Sequence, residues 1–322
     1  MQTELDYQQS YPQFMCVVFY SIKSTSWSKL FTINSKVSRH YDEFLAVDFN
    51  CHMIKALILA AGRGERLRPI TDLHPKPLIE VHGKPLMQWA MRSLGIGGFT
   101  NLVVNTAWLG QQVENYFGHH FIDDFGLQPA TLLPKVLSKI EQNNIKQVSF
   151  NIQYSREGID FGSALETAGG IVRAIPLLCD SNGSDIFWVV AGDVFIPDFK
   201  FLEESVEKFK ASDKLAHIWL VPNPDHNALG DFGLQDGLAV NGSGENGQKY
   251  TFSTIALYRK SLFSLPYCGI REGNPTGIKA ALAPLLRSAI NAQQISAELY
   301  TGTWVDVGTP ERLNRLNKQS FL

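Results

Sequence analysis

The 322-residue sequence predicts an α/β protein with a doubly wound, mostly parallel sheet. From Met53 onward, short apolar segments alternate with stretches of helical periodicity, the order expected for repeated βαβ units. The segment at residues 186–191 consists of apolar residues only, which is typical of a strand buried on both faces of a parallel sheet. In the second half, strands predicted at residues 216–221, 230–234 and 250–258 are separated by turns.

Residues 1–52 differ in character from the rest of the chain. Their longest apolar run, residues 14–20, is too short for the hydrophobic region of a signal peptide. We expect this segment to be an incorrectly assigned start or a dispensable, disordered extension, with the main domain at residues 53–322. A β-hairpin made by residues 16–22 and 29–33 is the alternative.

The first predicted strand and the turn after it carry the clearest chemical pattern. An apolar run at residues 56–61 ends at Gly62 and Gly64, where backbone N–H groups can face a ligand without a Cβ in the way. Arg66 follows at once, and Lys76 lies between two prolines. A concave turn of N–H groups beside several cations predicts a polyphosphate site.

This turn matches neither of two common nucleotide-binding motifs. A Walker A loop would continue with Gly-Lys-Ser/Thr, and a dinucleotide-binding loop would have a third glycine where Leu67 stands. An ordinary turn with solvated arginines is the simpler interpretation. Arg66, Lys76 and the bracketing prolines together favour phosphate chemistry.

A helix, a strand and a second helix are predicted next, at residues 85–94, 101–105 and 109–117. Trp108 stands in the turn after the strand, at an edge of the sheet where α/β proteins bind ligands. A tryptophan that only packs against its helix fits the sequence equally well. Residues 127–148 contain a further amphipathic, helix-like stretch of unassigned role.

The sequence ALETAGG follows a strand predicted at residues 150–154 and opens a helix that reaches about residue 175. Gly169 and Gly170 would let a ligand approach the backbone of this helix closely. Glu166 either contacts that ligand or only stabilises the helix N-terminus by its charge. Its place after a strand favours ligand contact.

Asp193 comes directly after the apolar strand, and Asp306 lies in a later predicted strand. A carboxylate at the carboxyl end of a central strand suits Mg²⁺, which binds one or two carboxylates together with phosphate oxygens. Asp193 as a helix N-cap is the alternative. It is less favoured because we expect the next helix to begin at Pro197 and Asp198.

The C-terminal part contains a Gly- and Asn-rich loop or hairpin tip at residues 236–248 and an amphipathic helix at residues 281–290. The last helix is expected to have Thr309 as N-cap and Pro310 at its first position. An Asp306 that merely caps this helix is the alternative to a metal-binding role.

Composition limits the partners. The formal net charge is −2 and no basic stripe is present, so nucleic acid and anionic membranes are not expected partners. No apolar run approaches the roughly 20 residues needed to cross a bilayer, and we expect a cytoplasmic protein. The cysteines show no metal-ligand or disulfide spacing and are Cys16, Cys51, Cys179 and Cys268.

The sequence LAAGRGERLRPIT…PKPL resembles the signature of the sugar-1-phosphate nucleotidyltransferases. The resemblance extends from Met53 to about Asn317 through NTAWLGQQ, LETAGG, GDFGL, TFSTI, LAPLLR and WVDVGTPERL. It implies a Rossmann-like nucleotidyltransferase fold with a small antiparallel acceptor-side sheet, in which residues 127–148 are a helical insertion. It also implies transfer of a nucleotidyl group from an NTP to a sugar 1-phosphate, with Mg²⁺ as cofactor. With GER in place of the commoner GTR, and with these later motifs, the sequence most resembles the branch of the family that uses UTP and N-acetylmuramic acid 1-phosphate in peptidoglycan recycling.

The resemblance also implies roles for individual residues. Arg66 and Lys76 are the expected catalytic residues. The expected nucleotide contacts are Ala61, Gly62, Gly64, Glu65, Arg66, Lys76, Trp108 and Leu165. The expected sugar contacts are Glu166, Gly170 and Asp231, and the expected metal ligands are Asp193 and Asp306. Lys279 and Arg259 are both candidates for the cation that binds the acceptor phosphate.

Two other functions remain open on the sequence. The first is transfer from GTP to mannose 1-phosphate, which keeps the same mechanism. The second is a non-catalytic regulator that binds sugar nucleotides. The joint presence of Arg66, Lys76, Asp193 and Asp306 argues against a regulator, because binding alone does not require both metal carboxylates. Monomer and homodimer are not distinguished.

Overall fold

The computed structural model describes residues 54–124, 147–179 and 184–319. The predicted extension at residues 1–52 and the helical stretch of the predicted insertion at residues 127–148 lie outside the described residues. The strands are β1 Ala56–Leu59, β2 Glu80–Val81, β3 Lys84–Pro85, β4 Asn101–Thr106, β5 His120–Asp124, β6 Gln147–Arg156, β7 Ile186–Ala191, β8 Val194–Phe195, β9 Ala216–Val221, β10 Gly233–Gln235, β11 Leu238–Val240, β12 Thr251–Arg259, β13 Ile295–Leu299 and β14 Val305–Asp306. The helices are α1 Ile70–Leu73, α2 Leu86–Ile96, α3 Gly110–Phe117, α4 Glu157–Phe161, α5 Glu166–Leu178, α6 Glu203–Ala211, α7 Leu282–Asn291 and α8 Pro310–Lys318.

Ten of these strands form one sheet in the order β10-β11-β13-β9-β12-β7-β1-β4-β6-β5. The central strands β7, β1, β4 and β6 run parallel, as expected for βαβ units. Strand β12 runs antiparallel to both β7 and β9, so the second half of the chain continues the same sheet. Two small antiparallel sheets, β2–β3 and β8–β14, lie beside it. The predicted doubly wound α/β class is confirmed.

Helices cover both faces of the sheet because successive strand residues point to opposite sides. In β1, Ile58 belongs to the core that contains side chains of α2, α3 and α6. Its neighbour Leu57 belongs to the core formed with α5 and α7. Burial of each large apolar side chain contributes about 1.5–3 kcal/mol, so the apolar strands are fixed between two helical layers.

A third, smaller core joins the segment after the glycine turn to the C-terminal helix. Leu67 and Val81 pack there with Phe195 of β8, Val307 and Leu313 of α8. Residues far apart in sequence are therefore held together at one end of the sheet.

The stretch after Asp193 differs from the prediction. We expected a helix from Pro197, but α6 begins at Glu203. Residues 194–195 pair with β14, and the aromatic side chains of Phe199 and Phe201 are buried in the core. Strand pairing, a turn at residues 197–198 and the burial of the two aromatic side chains take the place of a helix here, so the expected helix start was wrong.

The other elements lie close to their predicted positions. Strands β1, β4, β7, β9 and β12 and helices α2, α3, α5 and α7 match the predicted segments within a few residues. The loop predicted at residues 236–248 contains the short strand β11, which forms a hairpin with β10. Thr309 is the N-cap of α8, and its side chain accepts a hydrogen bond from Arg312 N at 3.3 Å, as expected. Among the described residues, no helix is both long and apolar enough to cross a membrane.

Candidate active site

A cavity of about 650 Å³ opens at the carboxyl ends of β1 and β7. Open α/β sheets bind ligands at this edge. The N-terminus of α5, strand β12 and helix α7 complete its walls. Predicted site residues that line the cavity are Ala61, Gly62, Glu166, Asp193 and Asp231.

The glycine turn lines the cavity with Ala61 and Gly62. Gly64 has a left-handed φ of 70°, and a Cβ there would lie 2.9 Å from Thr71 Cγ2. Thr71 Oγ1 donates to Gly64 O at 2.9 Å and holds the turn. Within the described part of the chain, the N–H groups of residues 61–64 donate to no protein acceptor. Such a concave set of N–H groups is suited to an anion.

Lys76 and Asp193 form an ion pair at the edge of the cavity. Lys76 Nζ lies 2.6 Å from Asp193 Oδ2, with the lysine side chain 8% exposed and the aspartate 41% exposed. Pro75, in extended conformation, precedes the 3-10 turn that carries Lys76. The two residues predicted in separate roles, one for a phosphoryl group and one for a metal, therefore contact each other directly.

A buried chain of hydrogen bonds connects β1 to the start of α5. Ala60 N donates to Asn105 Oδ1 and Asn105 Nδ2 donates to Glu157 Oε1, each at 2.7 Å. Leu165 N donates to Glu157 Oε2 at 2.7 Å. Glu157 is fully buried, and burial raises its pKa although the bonds from Leu165 and Asn105 oppose the rise.

Sequence reasoning assigned no role to Asn105 or Glu157. Both side chains also line the cavity. The sequence feature that could have identified them is their position. Asn105 lies near the carboxyl end of β4, and Glu157 follows the neighbouring parallel strand β6. Polar side chains at adjacent parallel strand ends converge at a ligand site.

Leu165 and Gly170 lie behind the cavity wall. Leu165 is buried, and its carbonyl accepts from Ala280 N at 3.1 Å. A Cβ on Gly170 would lie 2.6 Å from Glu157 Oε1. The missing side chain at Gly170 thus makes room for the Glu157 carboxylate. Ligand contact by these two residues stays a prediction.

Two cavity residues adopt a backbone conformation that side chains disfavour. Glu166 has φ 58° and Thr254 has φ 64°, and both line the cavity. A residue held in this region costs about 1–3 kcal/mol and persists only where its surroundings enforce it. Such strain is typical of functional positions.

Trp108 supports the glycine turn from outside the cavity wall. Its ring lies 3.4 Å from the Arg63 guanidinium carbon, and its Nε1 donates to Thr71 O at 2.8 Å. A cation stacked on an indole is attracted by the negative face of the ring. Contact between Trp108 and a nucleobase stays a prediction.

Arg66 and Glu65 are both exposed on the 3-10 turn that follows the glycines. Arg66 reaches the C-terminal segment, since its Nη2 lies 3.3 Å from the place that a Cβ on Gly308 would occupy. The arginine therefore stands between the glycine turn and the turn that follows Asp306.

Asp306 lines a second pocket of about 360 Å³ rather than the main cavity. Its Oδ1 is paired with Arg312 and lies 3.1 Å from His226 Nε2. The backbone nevertheless brings it beside Asp193: Asp306 pairs with Val194, and Val307 N donates to Asp193 O at 3.1 Å.

The donor set fits a metal that is completed by substrate oxygens. Asp193 Oδ1 and Asp306 Oδ2 accept no hydrogen bond from the described residues. No group of three or more His, Cys, Asp or Glu side chains in the described part of the chain forms a complete metal site. One or two carboxylates with phosphate oxygens and water are the usual Mg²⁺ ligands at such sites.

Comparison with known proteins identifies related nucleotidyltransferases. The family model described as Nucleotidyl transferase matches residues 55–320. An N-acetylmuramate alpha-1-phosphate uridylyltransferase of Neisseria meningitidis serogroup B is 40% identical over 265 residues, covering 81% of this chain and 95% of the relative. A mannose-1-phosphate guanyltransferase of Gibberella zeae is 26% identical over 269 residues, covering 80% of this chain and 62% of the relative.

A solved structure shares the fold. It is that of a Bacillus anthracis protein described as a glucose-1-phosphate thymidylyltransferase, in complex with sucrose. The TM-score is 0.60 and the sequence identity is 20%, with 82% of this chain and 94% of the other covered. At this identity the likeness supports the fold alone.

Proposed function

Because the chain belongs to the nucleotidyl transferase family, we propose that it joins UTP to N-acetylmuramic acid 1-phosphate, forming UDP-N-acetylmuramic acid and pyrophosphate. The observation that carries this proposal is the similarity to the Neisseria uridylyltransferase over nearly its whole length. The product is a cell-wall precursor, which makes recycling of peptidoglycan sugars in the cytoplasm the proposed role.

In the proposed reaction, a phosphate oxygen of the sugar 1-phosphate attacks the α-phosphorus of UTP. A new P–O bond forms while the bond to the pyrophosphate oxygen breaks, and pyrophosphate leaves with the electron pair. No covalent enzyme intermediate is needed. Such a transfer depends on positioning and on stabilising negative charge rather than on proton transfer by the enzyme.

The residues of this chain supply both requirements. The free N–H groups of residues 61–64 bind triphosphate oxygens, and Arg66 stabilises the leaving pyrophosphate. Lys76, fixed by Asp193 at 2.6 Å, places positive charge beside the transferring phosphoryl group. Glu166 and Asp231 face the acceptor side of the cavity and accept hydrogen bonds from sugar hydroxyls.

Asp193 and Asp306 would hold Mg²⁺, which neutralises charge on the phosphates when bound. Arg312 and His226 keep Asp306 in place at the neighbouring strand. Asp306 lies in β14 and Asp193 directly precedes its partner strand β8, so the backbone hydrogen bonds that join these two segments would set the separation of the carboxylates.

The second candidate is transfer from GTP to mannose 1-phosphate, favoured by the similarity to mannose-1-phosphate guanyltransferases. The experiment that separates the candidates measures pyrophosphate release with UTP, GTP, dTTP and CTP against a panel of sugar 1-phosphates, with Mg²⁺ present. We expect strong turnover with UTP and N-acetylmuramic acid 1-phosphate. Turnover with GTP and mannose 1-phosphate instead would replace the substrates and keep the mechanism. A folded protein that binds nucleotide without any turnover would favour the non-catalytic regulator.

A further inference from the structure

The main cavity has an uneven charge distribution. Four carboxylate side chains line it, those of Glu157, Glu166, Asp193 and Asp231. Among the described residues, Arg287 is the one lining residue with a cationic side chain. An anionic part of a substrate would be repelled from most of this wall and attracted to Arg287.

Arg287 is fixed in position but its guanidinium is free to bind. Asn241 Nδ2 donates to the Arg287 carbonyl at 2.9 Å, and the guanidinium carbon lies 5.1 Å from the centre of the Phe232 ring. The contact from Arg287 Nη1 to Asn241 Oδ1 is long, at 3.5 Å. Within the described part of the chain, Arg287 forms no ion pair with a carboxylate. Its planar fork of N–H donors is therefore available for a bidentate partner.

The other candidate cations are less suited to this role. Arg259 donates to the carbonyls of Phe209, Ser212 and Lys214, which holds the end of α6 and the chain after it. Lys279 does not line the cavity. Neither side chain matches Arg287, whose guanidinium lies in the cavity wall without an ion pair among the described residues.

Arg287 also lies far from the predicted phosphate site in the order of the sheet. Its helix α7 packs on β11 and β13, which stand five and four strands away from β1 in the sheet order. The glycine turn after β1 has its own donors and cations. An anion served by Arg287 would therefore belong to a part of the acceptor distant from the reacting phosphates.

We propose that Arg287 binds a carboxylate carried by the acceptor sugar and thereby selects sugars with an acidic substituent. The inference rests on the proposed function and deepens it. N-acetylmuramic acid differs from N-acetylglucosamine by a lactic acid ether, which adds one carboxylate. Arg287 forms paired hydrogen bonds with that carboxylate, while the Phe232 ring supports the back of the guanidinium.

The test compares two acceptors that differ only in this group. Pyrophosphate release from UTP is measured with N-acetylmuramic acid 1-phosphate and with N-acetylglucosamine 1-phosphate, using the full chain, Arg287→Ala and Arg287→Lys. Arg271→Ala, which removes an exposed arginine outside the cavity, is the matched control. We expect Arg287→Ala to lower kcat/KM for the muramic acid substrate by about 10- to 100-fold, mainly through KM. The glucosamine substrate should change by less than about 3-fold, and Arg287→Lys should retain part of the preference.

The outcomes separate the inference from the proposed function. An equal loss on both acceptors would mean that Arg287 serves the shared phosphate or the fold, and it would overturn the inference. Unchanged kinetics on both acceptors would overturn it as well. Absence of turnover by the unaltered enzyme with either acceptor would overturn the proposed function and the inference with it. Binding of UTP and an unchanged melting temperature show that each variant is folded.

Discussion

At the residue scale, the charged groups around the cavity are held by direct contacts. Lys76 and Asp193 pair with each other, and Asp306 pairs with Arg312 and His226. Pre-organised charges of this kind need little rearrangement during the reaction, which is why they are effective in stabilising a transition state. The pairs also mean that a single substitution disturbs more than one group.

We predict that Lys76→Ala and Asp193→Ala each lower kcat by about 10²–10³. The physical reason is the loss of fixed charge beside the reacting phosphates. Asp193→Ala should also lower the melting temperature, because it leaves the buried Lys76 ammonium without its partner. Pyrophosphate release and thermal melting measure the two effects. Asp213→Ala, which removes an exposed carboxylate, is the control, and turnover within 10-fold of the parent in either site variant would contradict the assignment.

The Glu157 carboxylate gives a second prediction at this scale. It accepts hydrogen bonds from Asn105 and from Leu165 N, so it sets the separation between the glycine turn and α5. In Glu157→Gln one of the two acceptor atoms becomes a donor, and the turn should shift. We expect kcat/KM for UTP to fall by roughly 10- to 100-fold. Glu80→Gln, at an exposed site, is the control, and an unchanged KM for UTP would refute a positioning role.

The pH dependence of the free energy of unfolding should also change in Glu157→Gln. Burial raises the folded-state pKa of Glu157 above its ordinary value of 4.5, so ionisation costs the folded state more than the unfolded one. The stabilisation that the folded state gains from a protonated Glu157 is fully present below pH 4.5 and is lost as pH rises through the raised pKa. The glutamine variant cannot ionise and should lack this decrease. Urea unfolding from pH 4 upward checks it, and parallel curves for the two proteins would contradict it.

At the scale of elements, the start of α5 combines backbone strain with a place in the cavity wall. Glu166 occupies a left-handed conformation at the first residue of the helix and lines the cavity. The strain is sustained by the contacts of the flanking segment, where Ala168 N and Gly169 N both donate to Ala280 O. These contacts therefore fix the position of Glu166 at a cost in backbone strain.

Two substitutions of Glu166 separate the effect of its backbone strain on stability from the effect of its carboxylate on activity. Glu166→Ala and Glu166→Gly both remove the carboxylate and should lower kcat/KM for the sugar 1-phosphate to the same extent. Only glycine relieves the positive φ, so Glu166→Gly should be more stable than Glu166→Ala by about 1 kcal/mol. Activity assays and chemical denaturation measure both quantities. Equal stability of the two variants would show that the backbone at this residue is not strained.

At the scale of the whole molecule, two cores on opposite faces of one ten-stranded sheet carry the site. The third core ties the glycine-turn segment to the C-terminal helix. The similarity to the family begins at residue 55. All residues that we assign to the site lie after that point.

We therefore predict that a shortened chain beginning at Met53 keeps full activity. The reason is that no residue of the proposed site lies in residues 1–52. Pyrophosphate release by the full and shortened chains, at equal concentration of folded protein, measures this. Loss of turnover in the shortened chain, with its melting temperature unchanged, would assign residues 1–52 a role in the reaction.

Much of this protein was determined by local patterns in the sequence. The glycine turn beside Arg66 and Lys76 predicted phosphate chemistry, because glycines, cations and prolines act within a few residues of one another. The apolar strand before Asp193 and the cap at Thr309 were also predicted correctly, since burial and capping depend on nearby side chains. These features fixed the α/β class and the edge of the sheet where the site lies.

Tertiary structure alone decided how the side chains of the site meet. The Lys76–Asp193 pair joins residues 117 positions apart, and the bond from Asn105 to Glu157 joins residues 52 apart. Helix α6 also starts later than predicted because strand pairing and the burial of Phe199 and Phe201 fix the preceding stretch in a non-helical conformation. The tertiary structure also places Arg287 in the cavity wall, whereas Lys279 and Arg259 do not line the cavity. The physical reason is that such contacts depend on how strands align across the sheet, which no local pattern records.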